Sequence, residues 1–249
     1  MTIYTFLKSS PCPLQRGTFP PTSQKTTTIN YLNYIDIHTH TYYQDLETTL
    51  ILNVFPNEQD KLQLPAYFSI GLHPWYVYEK SWEQLVDQVR SAACDNKILA
   101  IGESGLDKAI ANSYEIQRLA FIMQLVIAET LKKPLIIHCV RSYSEMLAIR
   151  KKSDQSVPWI FHWFNADEQI SRELIRKNCF LSFGHMLFTE QSKAFGVFRS
   201  MPLDYVFFET DDAGYTIQEV YERAAGIRKS SVADLKAKIL DNFGRCFKR

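Results

Sequence analysis

The sequence has no CxxC pair, no apolar run of membrane-spanning length and no excess of either charge. Its five cysteines, Cys12, Cys94, Cys139, Cys179 and Cys246, are odd in number and widely scattered, which points to a reducing compartment. Nothing approaches the roughly 20 apolar residues of a membrane span, so no membrane partner is expected. The first residues also lack the basic start, apolar centre and small-residue cleavage site of a secretory leader. A cytoplasmic protein is the expectation. With Lys+Arg at 28 and Asp+Glu at 27 the charges nearly cancel. That balance argues against a dedicated DNA-packaging or membrane-surface protein, while leaving room for a local basic groove. There is no internal repeat and no low-complexity tract inside the main body, and 249 residues are enough for one barrel-sized core.

Residues 1–33 mix Ser-Ser-Pro-Cys-Pro, Phe-Pro-Pro and a threonine run without helical or strand period, and read as a poorly ordered extension. From residue 34 to 249 the pattern is that of a single domain. Strands are expected at Tyr34–His40, Thr48–Phe55, Ala66–Leu72, Lys97–Ile101, Pro134–His138, Val157–Phe161, Cys179–Phe183 and Tyr205–Phe208. Helical periods cover Ser81–Cys94, Tyr114–Leu131, Ser142–Lys151, Asp167–Lys177, Thr189–Arg199, Thr216–Ile227 and Ser231–Phe247. Eight strands, mostly alternating with helices, suit an α/β fold of the closed (β/α)8 TIM-barrel type. The joint between strands one and two is too short for a crossover helix, which normally takes a dozen or more residues.

Barrels of this kind carry their functional residues at the C-terminal ends of the strands. In Ile35-Asp36-Ile37-His38-Thr39-His40 the two histidines are two apart, so on a strand they share a face and can grip one ion. Such a short motif also fits histidines that face water or accept core hydrogen bonds. Further along, strand three ends in His73, strand four runs into Glu103, strand five ends in His138, strand six in His162 and strand eight in Asp211. Imidazoles and carboxylates recurring at the same end of successive strands are the ligands expected for one or two divalent cations.

The segments YIDIHTH, SIGLHPW, AIGESGLDK, PLIIHCVRS, FHWFNAD and FFETDD resemble, in order and spacing, those of the TatD family of metal-dependent hydrolases. The resemblance spans about residues 34 to 247. It implies a TIM barrel with two divalent metal ions, Mg²⁺, Mn²⁺ or Zn²⁺, and hydrolysis of DNA or another phosphodiester. Carried over by motif, His38, His40 and Asp211 would hold one ion, His138 and His162 the other, and Glu103 would bridge them. Asp211 is the candidate to orient the attacking water or receive its proton. A monomer is expected.

Around that set several residues keep two readings each. Asp36 shares a face with His38 and either supports a ligand or has a structural role at the barrel floor. Glu209 either orients a bound imidazole or makes a buried ion pair or a bond to backbone. His73 either contacts the scissile phosphate or a neighbouring ligand, or caps a strand end fixed by Pro74. Trp163 either leans over the mouth to stack on an unpaired base, opposite Trp75 and Tyr76, or packs under the following helix. Three departures from the family pattern bear on the substrate. Arg141, the expected phosphate contact, stands one residue later than in the usual His-x-Arg; Asp212 is an extra negative charge; and the first joint is short. A hydrolase of a small amide, lactone or phosphate ester is the second reading, and a weakly active metal-binding protein the third.

Overall fold

A computed structural model describes residues 33–78 and 80–247; apart from Asn33, the expected N-terminal extension lies outside them. Eight strands form one sheet in sequence order, β1 (Tyr34–Thr39), β2 (Thr48–Val54), β3 (Tyr67–Ile70), β4 (Ile98–Asp107), β5 (Leu135–Val140), β6 (Trp159–Phe161), β7 (Cys179–Phe183) and β8 (Val206–Phe208). All neighbouring pairs are parallel. The last strand returns to the first through a parallel bridge between Thr39 and Asp211. There the His40 N–H donates to the Asp211 carbonyl at 3.1 Å and the Asp211 N–H to the His38 carbonyl at 3.0 Å. The closing seam is therefore built from candidate ligands.

Seven helices follow the later strands: α1 (Trp82–Ala92), α2 (Tyr114–Leu131), α3 (Tyr143–Arg150), α4 (Glu168–Arg176), α5 (Lys193–Ser200), α6 (Ile217–Arg228) and α7 (Val232–Phe247). The expected barrel and its short first joint are both present. Residues 40–47 contain no helix, and between β2 and β3 only a 3-10 turn at Gln59–Gln63 occurs. Strand alternation divides the core in two. Ile35 and Ile37 turn outward, where the Tyr221 hydroxyl of α6 meets both the N–H and the C=O of Ile35 at 3.2 and 3.3 Å. Asp36 and His38 turn into the barrel and are fully buried.

One strand is longer than expected. Gly102-Glu103-Ser104-Gly105 reads as a break after Ile101, because glycine weakens strands, yet β4 continues to Asp107 with a register shift between Ile101 and Ser104. The reason is close packing against β5. A Cβ on Gly105 would lie 1.8 Å from the His138 carbonyl oxygen, and one on Gly102, which has φ +144°, 2.3 Å from that of Ile136. These glycines admit a neighbouring backbone, and Glu103 consequently sits inside a strand rather than at its end.

Among the described residues, Cys139, Cys179 and Cys246 are free thiols. No helix among the described residues is long and apolar enough to cross a membrane.

Candidate metal centre

Alternation along β4 aims Glu103 into the barrel, and the clustering follows from its two oxygens. Oε2 lies 3.4 Å from His38 Nε2 and 3.3 Å from His40 Nε2. The same two nitrogens stand 3.5 and 3.3 Å from Asp211 Oδ1. Oε1 lies 2.7 Å from His162 Nε2, 2.9 Å from His138 Nδ1 and 3.0 Å from His73 Nε2. One carboxylate thus faces two groups of imidazoles, and the His138 and His162 ring nitrogens are themselves 3.4 Å apart.

The first group fits an ion better than it fits hydrogen bonds. His38 is fully buried and neither of its ring nitrogens has a hydrogen-bond partner, an arrangement that costs free energy unless something else binds there. Ligand atoms about 2.0–2.1 Å from a tetrahedral ion are about 3.3 Å from one another. The spacings at His38, His40, Glu103 and Asp211 match that value.

Tautomers separate the remaining histidines, with protons assigned from the hydrogen-bond network. His138 Nε2 is 3.1 Å from Asp107 Oδ2, so Nε2–H donates there and Nδ1 keeps a free lone pair toward Glu103, the carboxylate–histidine pairing common behind metal ligands. His73 is reversed. Its Nδ1 accepts the Trp75 N–H at 3.1 Å, so in the neutral ring Nε2 carries the proton and points at Glu103 as a donor. Although His73, Glu103 and His138 are close enough to share an ion, a neutral His73 has no free lone pair to give one.

Electrostatics agree with an ionised carboxylate core. Burial pushes the Glu103 carboxyl up, but His162, His73 and His138 outweigh it and hold it well below the usual carboxylate range. Asp211 is lowered in the same way by His38 and His40. At Asp107, His138 and Trp75 overcome burial and bring the value to about 2. Against the opposing effect of burial, these carboxylates raise His38 well above its ordinary value and His138 to about 9. His73 and His162 are lowered, chiefly by burial.

A cavity of about 660 Å³ opens over the centre, lined among others by His40, His73, Arg141, Trp163, Asp211 and Asp212. Three of these, Arg141, Trp163 and Asp211, adopt positive φ of 52°, 45° and 53°, just past the ends of β5, β6 and β8. Non-glycine residues held this way cost roughly 1–3 kcal/mol each and cluster at functional sites. Trp163 is 38% exposed, its ring edge-on to His185 at 4.5 Å; it lies over the mouth. Trp75 lines the same cavity, and its indole N–H donates to Asp107 at 2.8 Å.

Asp36 and Glu209 lie one step deeper, and neither bonds an imidazole. Asp36 accepts from Thr210 N–H at 3.0 Å, Thr210 Oγ1 at 2.6 Å and the Tyr43 hydroxyl at 2.9 Å, steadying the residue next to Asp211. Glu209 accepts from the Trp163 N–H, and burial pushes its carboxyl up to about 8. Two residues escaped the sequence reading. Asp107 is four positions after Glu103 and so on its face, a signal masked by the apparent end of the strand. Asn53, whose Oδ1 accepts both the Glu103 N–H at 2.6 Å and Ser69 Oγ at 3.0 Å, looked like one polar residue in an apolar strand.

A family model described as TatD related DNase matches residues 51–248. The chain belongs to the TatD family. This bears out the resemblance read from the six motifs, although β1 with His38 and His40 precedes the matched stretch. YabD of Bacillus subtilis (strain 168), an uncharacterized metal-dependent hydrolase, is 31% identical over 148 residues, 58% of each chain. The chain thus spans a little over half of that relative's length. YcfH of Escherichia coli (strain K12), likewise an uncharacterized metal-dependent hydrolase, is 26% identical over 196 residues, 72% of this chain and 73% of YcfH. The crystal structure of YJJV, a TatD homologue from Escherichia coli K12, matches with a TM-score of 0.77 at 20% identity, over 88% of this chain and 100% of that one. At that identity the likeness speaks for the TatD-type barrel.

Proposed function

We propose that this TatD-family chain is a metal-dependent hydrolase that cleaves phosphodiester bonds, with DNA as its substrate. The observation that carries the reading is the Glu103 carboxylate, one oxygen toward His38 and His40, which also face Asp211, and the other toward His138, His162 and His73. In this reading His38, His40, Glu103, His138, His162 and Asp211 would be the residues that hold divalent cations. Bound there, the cations would supply Lewis acidity, lowering the pKa of a water and offsetting phosphate charge. Asp211, kept ionised by His38 and His40, orients the water or takes its proton. His73 donates its Nε2–H to Glu103 Oε1 and so steadies that carboxylate, and burial holds its ring below the ordinary histidine value. Arg141, exposed and lining the cavity, supplies the cation that a phosphate next along the strand requires. Trp163 gives an aromatic face on which an unpaired base stacks.

Asp212 favours a second reading, since a carboxylate lining the cavity repels a polyanion and suits a neutral ester or lactone. One comparison separates the two. Chelator-stripped protein is re-supplied with Mg²⁺, Mn²⁺ or Zn²⁺ and offered single-stranded DNA, a small phosphodiester and a carboxylic ester. The expected result is metal-restored cleavage of the DNA and the phosphodiester. Turnover of the ester alone replaces the first reading with the second.

A further inference from the structure

Helix α2 presents an apolar stripe to the barrel, Ala120, Phe121, Ile127 and Ala128, interrupted by two glutamines, Gln117 and Gln124, both buried. Seven residues apart, they fall on nearly the same face. Each sets both ends of its amide on one backbone position, and its Nε2 also donates to a second carbonyl at 3.3 Å, that of Asn112 for Gln117 and of Ala120 for Gln124. Gln124 Oε1 accepts the Leu72 N–H at 2.7 Å while its Nε2 donates to the Leu72 carbonyl at 3.1 Å. Gln117 Oε1 accepts the Asp107 N–H at 2.8 Å while its Nε2 donates to the Asp107 carbonyl at 3.1 Å.

The reason lies in strand lengths. Pairing of β3 with β4 ends at Ile70 and Ile101, so the end of β4 has no strand on that side. Lys108 N–H turns to β5, donating to Val140. Alternate residues point their peptide groups to opposite edges, so the N–H and C=O of Asp107 face the missing neighbour. A primary amide has the same donor and acceptor as a peptide group, and Gln117 stands in for the absent strand. The side chain of Asp107 is fixed in turn. Oδ1 accepts the Ala109 N–H at 2.7 Å, and Oδ2 meets Trp75 Nε1 at 2.8 Å and His138 Nε2 at 3.1 Å.

We propose that Gln117 is a positioning residue for the metal centre, holding Asp107 so that its carboxylate orients the His138 ring and presents Nδ1 to an ion. The proposal rests on the metal reading above. Gln124 makes the same kind of clamp from the same helix but leads to the backbone beside His73, which has no lone pair to offer an ion. It is therefore the control for a merely structural effect.

The test is calorimetric titration of chelator-stripped chain with Zn²⁺ and Mn²⁺, beside circular dichroism to establish folding. Gln117→Met is expected to weaken uptake at the affected site about tenfold or more, the scale seen when partners of metal ligands are removed. Gln124→Met is expected to lose thermal stability with unchanged metal affinity. Gln117→Glu keeps an acceptor for the Asp107 N–H but turns a carboxylate oxygen to the Asp107 carbonyl; it is expected to weaken uptake as well, and it gives the reading if the methionine variant does not fold. In an Asp107→Asn background Gln117→Met should add little, because both act through one bond. Wild-type affinity in a folded Gln117→Met, or equal losses at Gln117 and Gln124, overturns the clamp. Wild-type chain that takes up no divalent ion overturns the metal reading and the clamp with it.

Discussion

At His73 a single backbone N–H decides between ligand and donor. Trp75 N–H occupies Nδ1, leaving Nε2 protonated, while at His138 the Asp107 carboxylate accepts a hydrogen bond from Nε2–H and leaves Nδ1 free. Two histidines at similar distances from Glu103 Oε1 therefore do different things. The expected outcome is that His138→Ala loses bound metal, whereas His73→Ala keeps the wild-type metal content and loses turnover by about 10²-fold, the size expected when one general acid or hydrogen-bond donor is removed. Elemental analysis of dialysed protein together with rates on a small phosphodiester checks both, and metal loss in His73→Ala would make it a ligand after all. Spacing in the sequence marked both residues as strand-end histidines but could not separate them. The difference resides in a hydrogen bond set by the 3-10 turn at Pro74–Tyr76.

Strand β4 is the element on which the site depends, and its glycines act by absence of bulk. Gly105→Ala would put a methyl group 1.8 Å from the His138 carbonyl oxygen and 2.7 Å from its carbon. These are backbone atoms, so the β4–β5 ladder has to open beside a candidate ligand. The variant is expected to lose about 1–3 kcal/mol or more, whereas Gly196→Ala, in α5 with open space around it, is expected to gain about 0.5–1 kcal/mol from helix propensity. Denaturant unfolding of the two variants checks the opposite signs. Elements with a clean period were legible in advance. The expected α2 matches the observed one residue for residue, and His38, His40, His162 and Asp211 lie where alternation and strand ends placed them. What escaped was set by neighbours. The length of β4 depends on β5 approaching its glycines, and Asp107 and Asn53 matter through groups distant in sequence. Gln117 repairs an edge that exists only because β3 stops early.

For the molecule as a whole, metal and protons compete for the same groups, and the sign of the coupling follows from the shifts. Without metal, the carboxylates raise His38 and His40 above the ordinary value and His138 to about 9, while burial raises Glu209 to about 8. A raised group stabilises the fold fully below its unfolded pKa, about 6.5 for histidine and 4.3 for glutamate, and that stabilisation is lost as pH rises through the folded value. These groups therefore make the stripped chain less stable between about pH 6.5 and 9. His73 and His162 are lowered, chiefly by burial, and act the other way, below about pH 6.5. Asp107, at about 2, stays ionised throughout. The loaded chain runs opposite, because ligand imidazoles must be deprotonated and each displaced proton costs affinity up to tenfold per pH unit below its pKa. The difference in Tm between loaded and stripped chain is expected to widen steadily from pH 6 to pH 9. Titration at pH 7 in buffers of different ionisation enthalpy should show net proton release that fades above pH 9. A gap that narrows over this range, or metal uptake without proton release at pH 7, would mean that the histidines facing Glu103 and Asp211 are already neutral, and that ion pairs around Glu103 do not hold the metal-stripped centre together.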